Sequence, residues 1–173
     1  VKEIGQGAKG YNTVTIHNTA ARGAVHDEIK KEIYDKGQGS SANAGILGQL
    51  AHTRGMVIAM LQTEAIRTAQ EKFGKGKPVT PEQVRWGLEN LNLTEERLAE
   101  LGFKDIVRPI QTSCDNHLGE DWQRIAQWDG SKFNVVSDWY QADQAIVGEL
   151  VKEYADKYAT EKKVARRDCS KVQ

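Results

Sequence analysis

Trp128-Asp129-Gly130-Ser131-Lys132-Phe133-Asn134-Val135-Val136-Ser137-Asp138-Trp139 joins two segments of alternating apolar character through an Asp-Gly pair. Asp-Gly supplies the positive backbone φ that tight hairpin turns demand. Ile125, Gln127, Phe133 and Val135 fall on alternate positions, the spacing of half-buried strands. The stretch therefore predicts a β-hairpin in a chain whose other periodicities are helical. Two strands in water are only marginally stable, so the pair must complete a sheet that other segments extend. Few segments qualify. The clearest is Tyr11-Asn12-Thr13-Val14-Thr15-Ile16, rich in β-branched residues, entered through the glycine-rich approach from Gly5 to Gly10 and ended at His17-Asn18. Ile110 to Cys114 also reads as extended.

Outward from these strands the chain reads as helices. Ala24 to Lys36 sets Val25, Ile29 and Ile33 four apart on one face, and Gly37 to Gly39 stop it before the loop Ser40-Ser41-Ala42-Asn43. Leu47 to Phe73 is the longest periodic run, with Leu47, Leu50, Val57, Leu61, Ala65, Ile66, Ala69 and Phe73 at threes and fours and Gly74 closing it. Gly55 inside that run costs up to about 1 kcal/mol against alanine, which predicts close packing or a bend there. Thr80-Pro81-Glu82-Gln83 opens the next helix, with Thr80 as N-cap, Pro81 in the first helical position and Gln83 closing a capping box. Val84, Leu88 and Leu91 then face inward. Thr94 caps a shorter helix that runs to Leu101 and is ended by Gly102. Ala142 to Lys162 forms a last helix with Ile146, Leu150, Val151, Tyr154 and Tyr158 on one side.

A chain of 173 residues with 39% hydrophobic content is long enough for one core of its own. Its mean hydropathy of −0.61 is on the polar side. No run approaches the roughly 20 apolar residues of a membrane span, and Val1-Lys2-Glu3-Ile4-Gly5 lacks the basic and apolar regions of a signal peptide. Lysine plus arginine and aspartate plus glutamate both number 24, so no net field favours nucleic acid or an acidic surface. The basic run from Lys162 to Arg167 suits the C-terminal end of a helix. Cys114 and Cys169 form no Cys-x-x-Cys pair, which argues against zinc. They fit either a disulfide tying the tail to the body in an oxidising compartment or two unrelated thiols. A bridge would close a loop of about 55 residues and contribute about 3 to 4 kcal/mol.

Few residues suggest chemistry. Asp115, His117, Glu120 and Asp121 cluster in a polar loop that would suit a cation, but there is no EF-hand glycine and no His-Glu-x-x-His pattern, so no metal or cofactor is assigned. His17 and Asn18 stand at a strand's end, where open α/β sheets hold ligands, although a hydrogen-bonded turn histidine is the plainer reading. His52 and Arg54 near the start of the long helix would suit an anion, and an exposed first turn explains them equally well. Gly5-Gln6-Gly7-Ala8-Lys9-Gly10 has the spacing of a dinucleotide loop but precedes a strand instead of following one. No Gly-x-Ser-x-Gly or P-loop is present, no catalytic residue is assigned, and the chain reads as a protein other than an enzyme.

Several motifs recur in a recognisable order. They are Gly7-Ala8-Lys9-Gly10-Tyr11 before the strand, Ile29-Lys30-Lys31 with Tyr34-Asp35-Lys36-Gly37, and Arg54-Gly55-Met56 leading into Glu64-Ala65-Ile66-Arg67-Thr68-Ala69. Gln83-Val84-Arg85-Trp86-Gly87-Leu88-Glu89 and Gln127-Trp128-Asp129-Gly130 before Ser137-Asp138-Trp139 complete the series. This succession resembles the C-terminal part of periplasmic substrate-binding proteins of the branched-chain amino acid ABC transporter family.

The resemblance implies an α/β fold with two lobes joined by three crossover strands and a ligand enclosed between them. This chain would be the C-terminal portion of that type I periplasmic-binding-protein fold, mainly helical with a β-hairpin and a crossover strand. Residues 1–18 would carry the crossover, 19–109 the helical part of one lobe, 110–139 the extended segment and hairpin of the other, and 140–173 the C-terminal helix and tail. Most parallel strands, many ligand contacts and the export signal would belong to an absent N-terminal portion, as in a truncated or proteolysed product. Helices shaped to cover that sheet would expose Leu47, Val57 and Leu61, which implies association with the missing portion, self-association or strand exchange.

Functionally, the resemblance implies a receptor that captures a small amino acid or aromatic acid by cleft closure and delivers it to an ABC permease in the membrane. His17, Asn18 and His52 would be its ligand contacts here. A periplasmic location is oxidising and favours the bridge between Cys114 and Cys169. Two other classes remain: a helical protein-interaction module, which does not call for the hairpin, and a metal-dependent hydrolase, which needs His117 and its acidic neighbours to converge with a second histidine.

Overall fold

The computed structural model describes residues 3–18, 23–39, 44–119, 121–165 and 167–171. The loop expected at Ser40 to Asn43, and Glu120 of the acidic loop, lie outside the described residues. In chain order the elements are β1 (Asn12–Thr15), α1 (Ala24–Ile29), α2 (Leu50–Phe73), α3 (Pro81–Leu88), β2 (Asn92–Leu93), α4 (Glu95–Glu100), β3 (Ile110–Gln111), β4 (Trp122–Trp128), β5 (Phe133–Val135), β6 (Tyr140–Gln141) and α5 (Gln144–Lys162). Short 3-10 turns occupy Gly5–Ala8, Ala44–Ile46 and Cys169–Lys171.

The hairpin forms, and β4 is the centre of its sheet. β1 pairs along one side of it, with Asn12 opposite Gln127 and Thr15 opposite Arg124, and β5 pairs with its far end. The returning chain stays beside β4. Val136 N–H donates to the Ile125 carbonyl, and Ile125 N–H donates to the Ser137 hydroxyl, a side chain standing in for a backbone acceptor. Tyr140 and Gln141 of β6 then pair with Gln123 and Trp122. β2 and β3 make a separate two-stranded ribbon, and every strand pair among the described residues is antiparallel.

The turn and the buried face differ from the sequence expectation. Four residues connect β4 to β5, and Gly130 carries the positive φ of +107° while Asp129 does not. Asp129 acts through its side chain instead. Its Oδ1 accepts from the N–H groups of Ser131 and Lys132 and its Oδ2 from Asn134. Hydrogen bonds from Lys132, Asn134 and Ser131 hold that carboxyl far below the usual carboxylate range. Register places Val135 opposite Ala126 and Phe133 opposite Trp128, so these four share one face. Ile125 and Gln127 point to the other face, one residue out of phase. Ala126 and Trp128 are the buried positions, and the Trp128 indole N–H donates to the Gly5 carbonyl, closing the N-terminal turn over the end of the sheet.

The helical part packs around α2. Val57, Met60, Leu93, Leu98, Phe103, Ile106 and Val107 form its core. α3 starts where expected. The Thr80 hydroxyl accepts from Gln83 N–H and Thr80 N–H donates to Gln83 Oε1, the reciprocal pair that satisfies two of the helix's loose donors. Thr94 caps α4 with a single bond, its hydroxyl accepting from Arg97 N–H. α1 continues from Lys30 to Tyr34 as a widened π turn. His26 is its fully buried position, and within the widened turn Ile33 faces outward.

The buried stripe of α2 is Thr53, Val57, Met60, Glu64, Ala65 and Ala69, whereas Leu50, Ile66 and Phe73 are exposed. Leu47 and Val57, expected to need outside cover, are buried within the chain. Gly55 meets nothing, so it marks no close approach. The uncovered apolar surface lies elsewhere. Ile146, Leu150, Val151, Tyr154 and Tyr158 of α5 are all open, from 48% exposed at Leu150 to 65% at Tyr154, and α5 buries none of its residues. Among the described residues no helix is long and apolar enough to cross a membrane.

Candidate functional site

The end of β1 is where sheet and helical part meet. Strand alternation turns Thr15 and His17 inward, leaving Val14 and Ile16 about half exposed. The Thr15 hydroxyl donates to the His17 carbonyl at 2.7 Å, and Asn18 N–H donates to the Ile106 carbonyl at 2.7 Å, fastening the strand exit to the helical core. His17 is fully buried and neither ring nitrogen has a hydrogen-bond partner. Burial pushes its pKa below the ordinary imidazole value; the Asn18 backbone opposes this and the charge of Arg54 adds to it. His17 is therefore a neutral ring sealed beneath the junction.

Asn18 lines a polar pocket of about 370 Å³ at that junction. Its wall combines Lys104, Asp105 and Arg108 from the helical side with Arg124 of β4 and Trp139 of the returning chain. The guanidinium of Arg124 lies 4.6 Å from the ring centre of Trp139, and that of Arg108 lies 4.6 Å from the ring centre of Trp122. His52 is half-buried on α2 and lines neither this pocket nor the larger one described next. Of the three expected contacts, then, Asn18 lines a cavity, His17 is buried and lines neither, and His52 stands apart. Arg108 and Arg124 escaped the sequence reading because no local pattern joins them.

A larger and mostly apolar cavity of about 520 Å³ lies between α2, α3 and the segment from Val107 to Trp122. Val57, Leu61, Leu88, Leu91 and Ile110 line it, and Glu89, His117 and Asp121 mark its polar border. Glu89 is 4% exposed. Arg167 pairs with its Oε1, His117 Nε2 lies 3.6 Å from the same oxygen, and Oε2 has no partner. The Cys114–Cys169 disulfide, with Cα atoms 5.6 Å apart, brings the tail that carries Arg167 against the loop that carries His117. The acidic loop is thus tied to the border of a cavity. The described residues contain no group of three histidine, cysteine or acidic side chains placed to hold a metal.

No family model and no curated protein matches the chain. Among solved structures it is similar to one described as an ABC transporter permease from the Pseudomonas fluorescens group. That match has a TM-score of 0.90 at 36% identity, covering 98% of this chain and 40% of that one. The chain is a structural neighbour of ABC transporter proteins. A second structure, a branched chain amino acid ABC transporter from Thermus thermophilus with bound valine, aligns with a TM-score of 0.56 at 23% identity, covering 80% of this chain and 36% of that one. At that identity the likeness concerns the fold alone. The mixed helices and open sheets agree with an α/β fragment of such a fold, and the chain spans 40% of the length of the first structure.

Proposed function

We propose that this chain is the C-terminal part of a periplasmic solute-binding receptor of an ABC importer. In this reading the longer protein closes two lobes on a small amino acid or aromatic acid and hands it to a membrane permease, with no chemical step. The observation that carries it is the alignment of 98% of the chain, at 36% identity, with less than half of a solved ABC transporter protein. The Thermus thermophilus structure holds valine, which supports a small organic ligand. The open face of α5 supports a longer protein as well, because a stripe of two tyrosines and three aliphatic side chains left in water is costly unless something covers it. The disulfide suits an oxidising compartment.

Cleft closure needs no catalyst: a ligand that binds the closed state more tightly than the open one shifts the population toward closure by that difference in affinity. The junction at His17 and Asn18 is then the strap between lobes, and its hydrogen bond to Ile106 is a contact that closure would load. Equilibrium dialysis of the longer protein against amino acids and aromatic acids tests the reading. Saturable uptake of one class, recovered unchanged, is the expected result. Turnover of the solute, or no saturable uptake of either class, overturns it.

A further inference from the structure

We infer that the Cys114–Cys169 disulfide is a redox-operated clasp that keeps α5 folded, and that a dithiol reductant releases the helix by opening it. The inference goes beyond the receptor reading and does not rest on it. α5 lacks what normally holds a helix of 19 residues: it buries none of them, and Gly148 has open space where a Cβ would stand. Helices in proteins draw most of their stability from packing one face, and propensity alone leaves them marginal in water. The propensity of α5 is poor as well. Ile146, Val147 and Val151 are β-branched, Tyr154 and Tyr158 are aromatic, and Gly148 is worse than any of them.

What α5 has instead is two pinned ends. At its start β6 pairs with β4, and the Asp143 carboxylate accepts from the N–H groups of Ala145 and Ile146. At its far end Lys163 takes the left-handed conformation, with φ +53°, and turns the chain out of the helix. The tail then returns to the helical part, where Arg167 pairs with the buried Glu89 and Cys169 is bonded to Cys114. The bridge closes a ring that contains β4, β5, β6 and α5. Opening it leaves α5 one covalent attachment, and the Arg167 pair must then order the freed tail against its own entropy. The bridge is also placed to be opened. Both cysteines are half-buried, and Ser113, Asp115, Asp168 and Ser170 beside them are exposed. One thiolate of the reductant attacks a bridge sulfur to form a mixed disulfide, and its second thiol resolves it. Two electrons and two protons pass to Cys114 and Cys169, which become thiols, and the reductant leaves as a disulfide. Release is local, because the buried core of the helical part runs from Val57 to Val107, outside the ring.

The test follows the backbone Cα chemical shifts of the folded 173-residue chain by NMR before and after dithiothreitol at neutral pH, with alkylation and mass measurement to count the thiols. The expected result is that the bridge opens without denaturant, that α5 loses more than about half of its helical shift offset, and that α2 and α4 keep theirs. Reoxidation should restore α5. Cys114→Ser combined with Cys169→Ser should show the unfolded α5 from the outset and no response to dithiothreitol. Because the native chain is reduced after it has folded, the result does not depend on that variant folding. A bridge that stays closed in the folded chain overturns the inference, as does an α5 that keeps its helical shifts once reduced. Loss of α2 and α4 together with α5 also overturns it, since the bridge would then hold the whole fold. A longer protein that takes up no solute would count against the receptor reading and leave this experiment unaffected.

Discussion

Gly87 of α3 lies directly on Ala65 of α2: a methyl group on Gly87 would stand 2.0 Å from the Ala65 carbonyl oxygen and 3.3 Å from the Ala69 methyl. The two helices cross where both have surrendered their side chains, and this crossing holds α3, with Glu89 just beyond it, against the long helix. Gly87→Ala should gain up to about 1 kcal/mol from helix propensity and lose more by forcing the helices apart, for a net cost of about 1 to 3 kcal/mol. Gly55→Ala is the matched control. It sits in the same long helix with open space around it, so alanine there should stabilise by about 0.5 to 1 kcal/mol. Urea unfolding midpoints of the two variants should move in opposite directions; a shared direction would contradict this account of the crossing.

A buried carboxylate links α2 to α4. Glu64 is 2% exposed, accepts from Arg97 through Nε at 2.9 Å and Nη2 at 2.7 Å, and accepts from Arg67 through Nε at 3.0 Å and Nη2 at 2.8 Å. Burial would raise its pKa, but the hydrogen bonds from Arg97 and Arg67 outweigh it and hold the carboxyl below its ordinary value. The folded state thus binds its proton less readily than the unfolded chain. The stabilisation is fully present above the unfolded carboxylate value of about 4.3 and is lost as pH falls through the lower folded value. Glu64→Gln should cost about 1.5 to 3 kcal/mol at neutral pH. Its denaturation midpoint should also fall less steeply between pH 5 and acid than that of the native chain. Parallel pH profiles would show that Glu64 does not titrate with folding.

What could be read before the structure was local, and what could not was set by distant partners. The Thr80 and Gln83 cap is complete within four residues, and the hairpin announces itself through Asp129 and Gly130 beside alternating neighbours. Its buried face departs from simple alternation because the four-residue connection and the Ser137 interruption set which residues lie opposite one another, and neither is visible as a period. Periodicity alone runs the stripe of α2 through Leu50 and Ile66, yet the buried row includes Glu64, whose partner Arg97 is 33 residues away. The pocket beside Asn18 is the same case at larger scale. Arg108, Trp122, Arg124 and Trp139 meet only after the sheet has closed on the helical part.

The tail is held at two points that should be coupled. Cys169 is bonded to Cys114, and two residues earlier Arg167 pairs with the buried Glu89. Reducing the disulfide, or Cys169→Ser, should lower stability by about 3 to 4 kcal/mol on the chain-entropy account of a closed loop of this length. Without the bridge the tail loses its anchor, and Arg167 should then contribute little. A double-mutant cycle with Arg167→Ala and Cys169→Ser should therefore be non-additive, with Arg167→Ala costly in the bridged chain and nearly neutral in the unbridged one. Additive effects would mean that Arg167 finds Glu89 without the disulfide.

On the receptor reading proposed above, the open face of α5 should behave as a surface of this chain and an interior of a longer protein. Ile146, Leu150 and Tyr154 are each about half exposed or more, so Ile146→Lys together with Leu150→Lys should change the stability of the 173-residue chain by less than about 1 kcal/mol, as exposed substitutions do. In the longer protein the same pair would bury two ammonium groups without partners and should destabilise by several kcal/mol. Comparing thermal melts of the two lengths decides the matter. Equal tolerance in both would show that α5 is exposed in the longer protein too.

His17 should make the junction sensitive to mild acid. Its ring is sealed, unpartnered and shifted toward the neutral form by burial and by the charge of Arg54, against the opposing backbone of Asn18. Unfolding releases an imidazole that takes up a proton near pH 6.5, whereas the folded ring resists until lower pH. The sign follows from linkage: stability is full above about pH 6.5 and declines as pH falls from there toward the folded value, because the unfolded chain binds the extra proton. His17→Phe removes the titration and replaces two unsatisfied nitrogens with carbon, so it should be neutral or stabilising at pH 5.5 relative to pH 7.5. His26, His52 and His117 remain in both proteins, and the difference between variant and native profiles therefore isolates His17. Its ring protons, followed by NMR, should also titrate below the ordinary imidazole value. A variant whose profile between pH 5 and 7.5 overlays the native one, or a His17 resonance that titrates at or above 6.5, would place that ring in contact with water and remove the reason for treating the end of β1 as a sealed strap.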